Sequence, residues 1–534
     1  MNFYFTARTK TSHINLEKEV QTFIHHLQRP YLALSLGRKK SPRSRPPQCR
    51  FPLRFQTLLK KFFFSYFPQN CPNLIQAEKT LFPLEVDLVL ASSYPQNPSS
   101  SFGHSFFKIK KEGTPDLLAH GINFSAFIDD GEMFLYTLKG LTGGLSGNFS
   151  TLPYYQKIRE YVHFESRDLW EFKIQLTTQE QQIFFWHLYE LISNQVSFDY
   201  YFLTKNCSYQ LLWPLQLLRP RDNIVDYYRF YVFPLESIKN IFHYFPLKKI
   251  HHRSSLKGEF LHAYQNLSLK EKTSFHHGIK SQATTPLLQT NKAMAKYYQF
   301  KKESLKESHL LKIINKQNRE NKKKEAPTSI KKNPTFHQSP LYSHDSHHFS
   351  FGLEQENQHH SFQASFFMGY HDLLSPSSLG HLEYSSIKLL GFTAHQKKKS
   401  IDITPIELVL NTPLSFYEKG LSWSVKSLIR DFKDLQLTTA MGTSFRYLNF
   451  LFTHQLEYHQ SLISFHQYQS QFNALQLTYF SYKKIKILQE TRWDLRSHHF
   501  IPEFEISYEI KKNQEIRLKQ KKSFLALYYH LYFI

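Results

Sequence analysis

The sequence has no run of eighteen or more apolar residues, which excludes a membrane-crossing helix. Cysteine is scarce: Cys49, Cys71 and Cys207 are the only three in 534 residues, too few for a disulfide-built scaffold. Cys49 and Cys71 can pair in an oxidising compartment, which would leave Cys207 as the odd thiol. Glycine is also low, 17 against 49 Phe and 32 Tyr, a balance that points to many strands and aromatic-rich surfaces. Acidic residues number 43 against 67 Lys and Arg, for a formal net charge of +24. Such a charge attracts nucleic acid, anionic lipid headgroups or acidic glycans. The basic residues are spread along the chain and form no recognition helix, so nucleic acid is not the expected partner. The first twenty residues, MNFYFTARTKTSHINLEKEV, lack the basic and apolar regions of a signal peptide, and taken literally they read as a cytoplasmic start.

The remaining composition supports packed cores, with 41% hydrophobic residues, and the length argues for more than one domain. Residues 1–80 read as a helical leader, with helical spacing over Leu16 to Leu27, a Pro/Arg-rich loop from Arg38 to Arg45, and a helix from Phe55 to Phe67. Residues 85–250 carry strand signals at Val86 to Ala91, His104 to Lys111, Leu117 to Phe124 and Met133 to Leu138. The segment Gly140 to Ser150 reads as a tight glycine-rich loop, a cleft wall or plain turn, without the ending of a phosphate-binding loop. A helix then a strand follow Tyr154, and a helix capped by Thr177 or Thr178, with Glu180 in its first turn, runs to Ser193. Residues 251–345 read as a basic helical connector and linker, with a charged helix over Leu305 to Lys324. His344, His347, His348, His359 and His360 match no metal-ligand spacing and read as surface histidines.

Residues 346–534 alternate polar and apolar over ten to twelve segments, among them Phe349 to Leu353, Phe362 to Tyr370, Leu437 to Tyr447, Leu475 to Ile485, Glu503 to Ile510 and Leu525 to Phe533. A period of two at that segment length predicts an antiparallel barrel or curved sheet, in an outer membrane or soluble.

Two stretches carry chemistry. LVLASSYPQNPSSSFGHSFFKI (Leu88 to Ile109) places His104 at the start of an apolar strand-like run. FDYYFLTKNCSYQLL (Phe198 to Leu212) places Cys207 at the start of an apolar helix-like run. The positive end of a helix dipole and its free N–H groups favour a thiolate, and an adjacent imidazole makes it nucleophilic near neutral pH. By itself a cysteine opening an apolar helix is more often a small buried hydrophobe. Glu165, Arg167 and Asp168 read as a structural ion-pair cluster at the helix-to-strand corner.

These two stretches, with AHGINFSAF around Asn123, GLTGGLSGNFSTLPYY and YVHFESRDLWEFKIQLT, resemble the Lnb-type N-terminal periplasmic domain over about Leu88 to Pro220. PPQCRFPLRF around Cys49 resembles the leader module of longer Gram-negative members, and the C-terminal region fits their third module. The resemblance implies an α+β chain: a circularly permuted papain-like thiol domain followed by an antiparallel β-barrel-like domain. It also implies a location in the periplasm or outer membrane, and likeness to the lipoprotein intramolecular acyltransferase, whose cysteine takes an acyl chain from a lipid and passes it to an amine. Carried over, Cys207 falls on the nucleophile, His104 on the general base and Asn123 on the third member, with His120 as its alternative. Asn206, Ser208 and nearby backbone N–H groups are candidate oxyanion donors. Tyr200, Tyr201 and Tyr209 read as core packing or as the lining of a cleft for an acyl chain or glycan, with Tyr201 as the substrate-binding candidate.

The expected function is an envelope thiol hydrolase or acyltransferase acting on an ester or amide of a lipid, lipoprotein or cell-wall component, without cofactor or metal. The competing expectation is a non-catalytic envelope binding or assembly protein whose thiol domain is a degenerate scaffold beside the barrel.

Overall fold

A computed structural model describes residues 47–62, 71–93, 103–126, 139–140, 142–228, 231–277, 286–287, 289–291, 293–294, 339–356, 359–376, 384–415, 420–463, 467–522 and 524–533. The chain forms two compact units, Met1–Thr335 and Phe336–Ile534.

In the first unit, helices α1 (Pro47–Arg50), α2 (Pro52–Phe62) and α3 (Pro72–Leu81) precede strands β1 (Leu84–Ala91), β2 (His104–Lys111), β3 (His120–Ala126) and β4 (Leu145–Pro153). Helix α4 (Tyr154–Ile158) continues as a π-helical turn, Arg159–Phe164, into β5 (Leu169–Ile174). Then come α5 (Thr178–Ser193), β6 (Ser197–Tyr200), α6 (Cys207–Leu218), α7 (Pro234–Ile241), β7 (Leu247–Arg253), α8 (Leu256–Gln265) and α9 (Leu269–His277). The strands form one antiparallel sheet in the order β6-β4-β3-β2-β1-β5-β7.

β1 lies between β2 and β5 and is covered on both faces, so Val86, Leu88, Val89, Leu90 and Ala91 are at most 2% exposed. That double burial is why its sequence is a continuous apolar run instead of an alternating one. Each such side chain contributes roughly 1.5–3 kcal/mol of burial. The expected cap on α5 is present: Thr177 and Glu180 form a reciprocal capping box. Cys49 and Cys71 are disulfide-bonded, tying α1 to the start of α3, and this module docks on α5. There Glu190 accepts hydrogen bonds from the Leu53 and Arg54 N–H groups at 2.7 and 3.1 Å, and Asn194 bonds Arg50.

Several boundaries differ from the sequence reading. The third strand begins at His120, because Asp116–Leu118 make a 3-10 turn that leaves Leu117 and Leu118 exposed to solvent. The glycine-rich segment is a turn only at its start; from Leu145 it pairs with both β3 and β6 as β4. The sheet also continues beyond residue 250, since β7 pairs with β5 where a connector was expected. The predicted helix at Leu16 to Leu27, the Arg38 to Arg45 loop, the strand at Met133 to Leu138 and the charged helix at Leu305 to Lys324 lie outside the described residues.

The second unit is a closed antiparallel barrel of twelve strands. They are β8 (His347–Glu356), β9 (His359–His371), β10 (Ser385–His395), β11 (Ser400–Leu410), β12 (Ser422–Arg430) and β13 (Asp434–Tyr447). The circuit is completed by β14 (Phe450–Ile463), β15 (Gln467–Tyr482), β16 (Ile485–Asp494), β17 (Phe500–Lys511), β18 (Gln514–Lys521) and β19 (Phe524–Phe533), which pairs back onto β8.

The alternation seen in the sequence is apolar outward and polar inward. On β8, Phe349, Phe351 and Leu353 are exposed while His348 and Ser350 are buried. On β18, Ile516 and Leu518 are exposed while Glu515 and Arg517 are at most 2% exposed. A water-soluble sheet has the opposite sense, and this inside-out pattern is that of a barrel surrounded by lipid. His344 and His348 are correspondingly not surface residues. Each is 1% exposed, with His344 Nε2 2.9 Å from His371 Nδ1 and His348 Nε2 2.8 Å from His530 Nδ1. His359 and His360, near a strand connection, are exposed as expected.

Candidate active site

Strand β2 and helix α6 bring His104 and Cys207 together across 103 residues of chain. Gly103, with φ +93°, turns the chain into β2, and a Cβ there would meet the Ala91 carbonyl oxygen at 3.0 Å. His104 then pairs with Ala91 at the end of β1.

Asn206 is the N-cap of α6, and Cys207 is the first residue inside the helix. The Asn206 side chain is fully committed. Its Oδ1 accepts from the Ser208 and Tyr209 N–H groups at 3.0 and 3.2 Å, and its Nδ2 donates to the Phe202 and Val232 carbonyls at 2.9 and 2.8 Å. It sets the position of Cys207 and leaves no N–H for an oxyanion, contrary to the role suggested for it from sequence.

The Ser208 hydroxyl lies 3.9 Å from the sulfur, and the His104 imidazole and the Ser105 backbone act on the thiol electrostatically. Ser208 Oγ is in turn 2.8 Å from Ser105 Oγ, both buried. Burial pushes the Cys207 thiol up, but the charge of His104 and its hydrogen bond, then the Ser105 N–H and the Ser208 hydroxyl, outweigh it and hold the thiol down at about 6. The far side of the imidazole is fixed as well: His104 Nε2 is 2.6 Å from Asn123 Oδ1. A carbonyl oxygen only accepts, so Nε2 carries the hydrogen and Nδ1 is the nitrogen left to act as a base.

Strand parity decides between the two candidates for the third polar residue. Lys108 pairs with Gly121 and Ile109 with His120, so Asn123 shares the face of Lys108 and His104 while His120 points to the other. Tyr161, in the π-helical turn, lies 5.9 Å from the His104 ring, and the Arg167 guanidinium lies over the Tyr161 ring at 4.9 Å. π-helical turns often mark functional sites. Burial pushes the Tyr161 hydroxyl well above its ordinary value, so it stays protonated. Tyr201 packs over Gly143 and Phe202 over Gly140, where a Cβ would come within 2.1 and 2.3 Å of the rings. The glycines therefore make room for the two rings.

Of the corner residues, Arg167 is 2% exposed and donates to the Ser92 and Ala91 carbonyls at 2.5 and 3.0 Å and to Glu165 at 2.9 Å. Asp168 belongs to a separate contact, with His252 and the Ser255 N–H. Sequence reasoning missed Ser105 and Tyr161, although one adjoins His104 and the other lies in the quoted YVHFESRD motif. It also missed a buried charge cluster in which Lys108 bonds Asp87 at 2.7 Å and Glu171, beside Asp116 and His251. The ammonium sits among these acids in the place a cation would take.

The fold and site define a two-part chain: an α+β sheet domain with a polarised cysteine–histidine pair, and an antiparallel barrel. Residues 74–244, about a third of the chain, match the family described as the Lnb N-terminal periplasmic domain. The barrel aligns with solved porins, among them the KdgM porin, at 9% identity over 35% of this chain and 98% of that one, with a TM-score of 0.24. The Acinetobacter baumannii outer membrane protein Omp33 aligns at 9% identity over 36% of this chain and 99% of that one, with a TM-score of 0.23. No curated protein matches the sequence. The periplasmic-domain match, together with the barrel, identifies a protein of the cell envelope. The location in the cell envelope expected from the resemblance is thereby borne out.

Proposed function

We propose that the first unit is a cysteine-dependent hydrolase or acyltransferase of the envelope, in a permuted papain-like arrangement, and that the barrel holds it at the outer membrane. The observation that carries this reading is the aligned series Cys207–His104–Asn123, with Nε2 of His104 fixed by Asn123 at 2.6 Å and the thiol held down at about 6.

In the proposed reaction, His104 Nδ1 takes the Cys207 proton and the thiolate attacks an ester or amide carbonyl. The oxyanion is met by the Cys207 N–H, the first-turn donor that Asn206 does not occupy. Collapse expels an alcohol or amine, which takes the proton back from His104 and leaves a thioester on Cys207. Water or an amine, deprotonated by His104, then attacks the thioester; the acyl group leaves on that acceptor and the proton returns to the thiol. A lipid, lipoprotein or cell-wall component is the substrate class that a membrane-anchored periplasmic enzyme would meet.

The test is the pH profile of Cys207 alkylation, which needs no removal of the disulfide-bonded Cys49 and Cys71. A midpoint near 6 that His104→Ala moves to the ordinary thiol range of about 8.5 supports the pair. A profile unchanged by His104→Ala, followed by retained acyl transfer in Cys207→Ala, sinks it. The non-catalytic alternative is favoured by one observation, the 4% exposure of Cys207, and predicts sluggish labelling at every pH.

A further inference from the structure

The interior of the barrel is mostly polar, and a cluster of apolar side chains lies toward the end where β8 begins. There Leu451 on β14, Leu477 and Tyr479 on β15, and partly buried Leu488 on β16 turn apolar side chains inward. What covers them is Leu374, 1% exposed, from the segment Asp372–Pro376 that follows β9. In the barrel order β9 and β15 are six strands apart in either direction, so this segment enters the lumen far enough for Leu374 to meet side chains of the opposite wall.

Polar contacts pin it along the way. Arg517 of β18, 2% exposed, holds Asp372 through both terminal nitrogens at 2.7 and 2.9 Å. Tyr532 of β19 reaches Ser375 Oγ at 3.1 Å, and Lys486 of β16 donates to the Ser375 and Pro376 carbonyls. On the far side of Asp372 and Arg517 a cavity of about 510 Å³ runs along the lumen to Lys522 and Phe524 at the other end of the strands.

We infer that the barrel is a gated channel: Asp372–Pro376 shuts one end, Arg517–Asp372 is the latch, and the lumen is a blind pocket until the latch opens. The solutes admitted are small and hydrophilic, with little preference for either sign. Among the described residues the lumen charges pair between strands, Lys388–Glu407 and Lys519–Glu503 on neighbouring strands and Arg492–Glu457 across β15, so both signs line the lumen. Breaking the latch removes the ion pair that holds Asp372, while Arg517 keeps Glu515 and Glu505, and it unseats Leu374, which is how a modest local change can free the whole segment.

The experiment is electrical recording of the full chain in planar bilayers of phospholipid in potassium chloride. Two variants are compared with the parent: Asp372→Ala, which removes the latch, and Leu374→Asp, which leaves the Arg517 ion pairs intact and spoils the apolar seat. The expected result is a flat baseline for the parent and a gain of resolved unitary steps, carried by both ions, for each variant. Steady unitary steps of the same size in parent and variants would mean an open pore and overturn the inference. Silence in both variants, each shown to be folded by its heat-dependent gel mobility, overturns it equally, because something other than this segment would then close the barrel.

Discussion

His104 and Asn123 lie nineteen residues apart on neighbouring strands, and their side chains meet at 2.6 Å. The contact does two things at once. It fixes the imidazole plane and it dictates the tautomer, since an amide oxygen accepts only from a protonated Nε2. Asn123→Ala should therefore lower turnover of an acyl substrate by about a hundredfold through misorientation of the base, with little loss of thermal stability. Asn123→Asp, which also accepts, should recover part of it. The check is kcat for the three forms beside their melting temperatures; equal kcat in Asn123→Ala would remove Asn123 from the site.

Arg167 acts on the same histidine through the backbone. It bonds the carbonyl of Ala91, the residue paired with His104, and that of Ser92, while Glu165 neutralises it. Arg167→Met leaves two carbonyls and a carboxylate without their donor, at a cost of about 3–5 kcal/mol. The expected outcome is a clear fall in the urea midpoint, with the rise in alkylation at low pH lost in the fraction that remains folded.

Glu190 gives the docking of the disulfide-linked helices on α5 a pH dependence. Burial pushes its carboxyl up to about 7, against the hydrogen bonds from Arg54 and Leu53 and the charge of Arg54. A folded-state pKa above the unfolded value means that folding takes up a proton, so stability falls as pH rises from about 4.5 towards 7 and is level above. Glu190→Gln keeps the oxygen that accepts from α2 and removes the titration. Melting temperature against pH should slope downward in the parent over that window and be flat in the variant; identical slopes would count against it.

The disulfide between Cys49 and Cys71 closes a loop of sequence separation 22. Loop-closure entropy gives about 3 kcal/mol for a loop of that size. Reduction, or Cys49→Ser with Cys71→Ser, should lower the melting temperature of the first unit. The alkylation profile of Cys207 should stay in place, because the bond acts on the module that docks on α5 and not on the thiol.

What was legible in the sequence follows the range of the forces involved. β1 and β2, the capping box at Thr177 and Glu180, and the start of α6 at Cys207 are each written in a few neighbouring residues, and the structure has them where expected. The contact of Ser105 with Ser208 is set by how α6 packs on β2, and no local pattern announces it. The π-helical turn that aims Tyr161 at His104 likewise has no sequence signature. In the barrel, period two predicts strands but not which parity faces in. His348 was therefore misread: it sits on the polar, inward parity of β8, where it meets His530 from the far end of the chain.

That parity also gives the sharpest test of where the barrel resides. Leu527 is 49% exposed and pairs across neighbouring strands with Leu353 and Leu518, themselves 53% and 41% exposed. In water, replacing an exposed leucine with arginine removes an unfavourable apolar contact with solvent and costs little. In a bilayer the same change puts a guanidinium against acyl chains and costs about 2–4 kcal/mol near the midplane. Leu527→Arg should accordingly lower the urea midpoint of the barrel refolded into phospholipid vesicles, while Lys522→Arg, at the strand end, leaves it unchanged. Unchanged stability in both variants would mean that this apolar row faces something other than lipid.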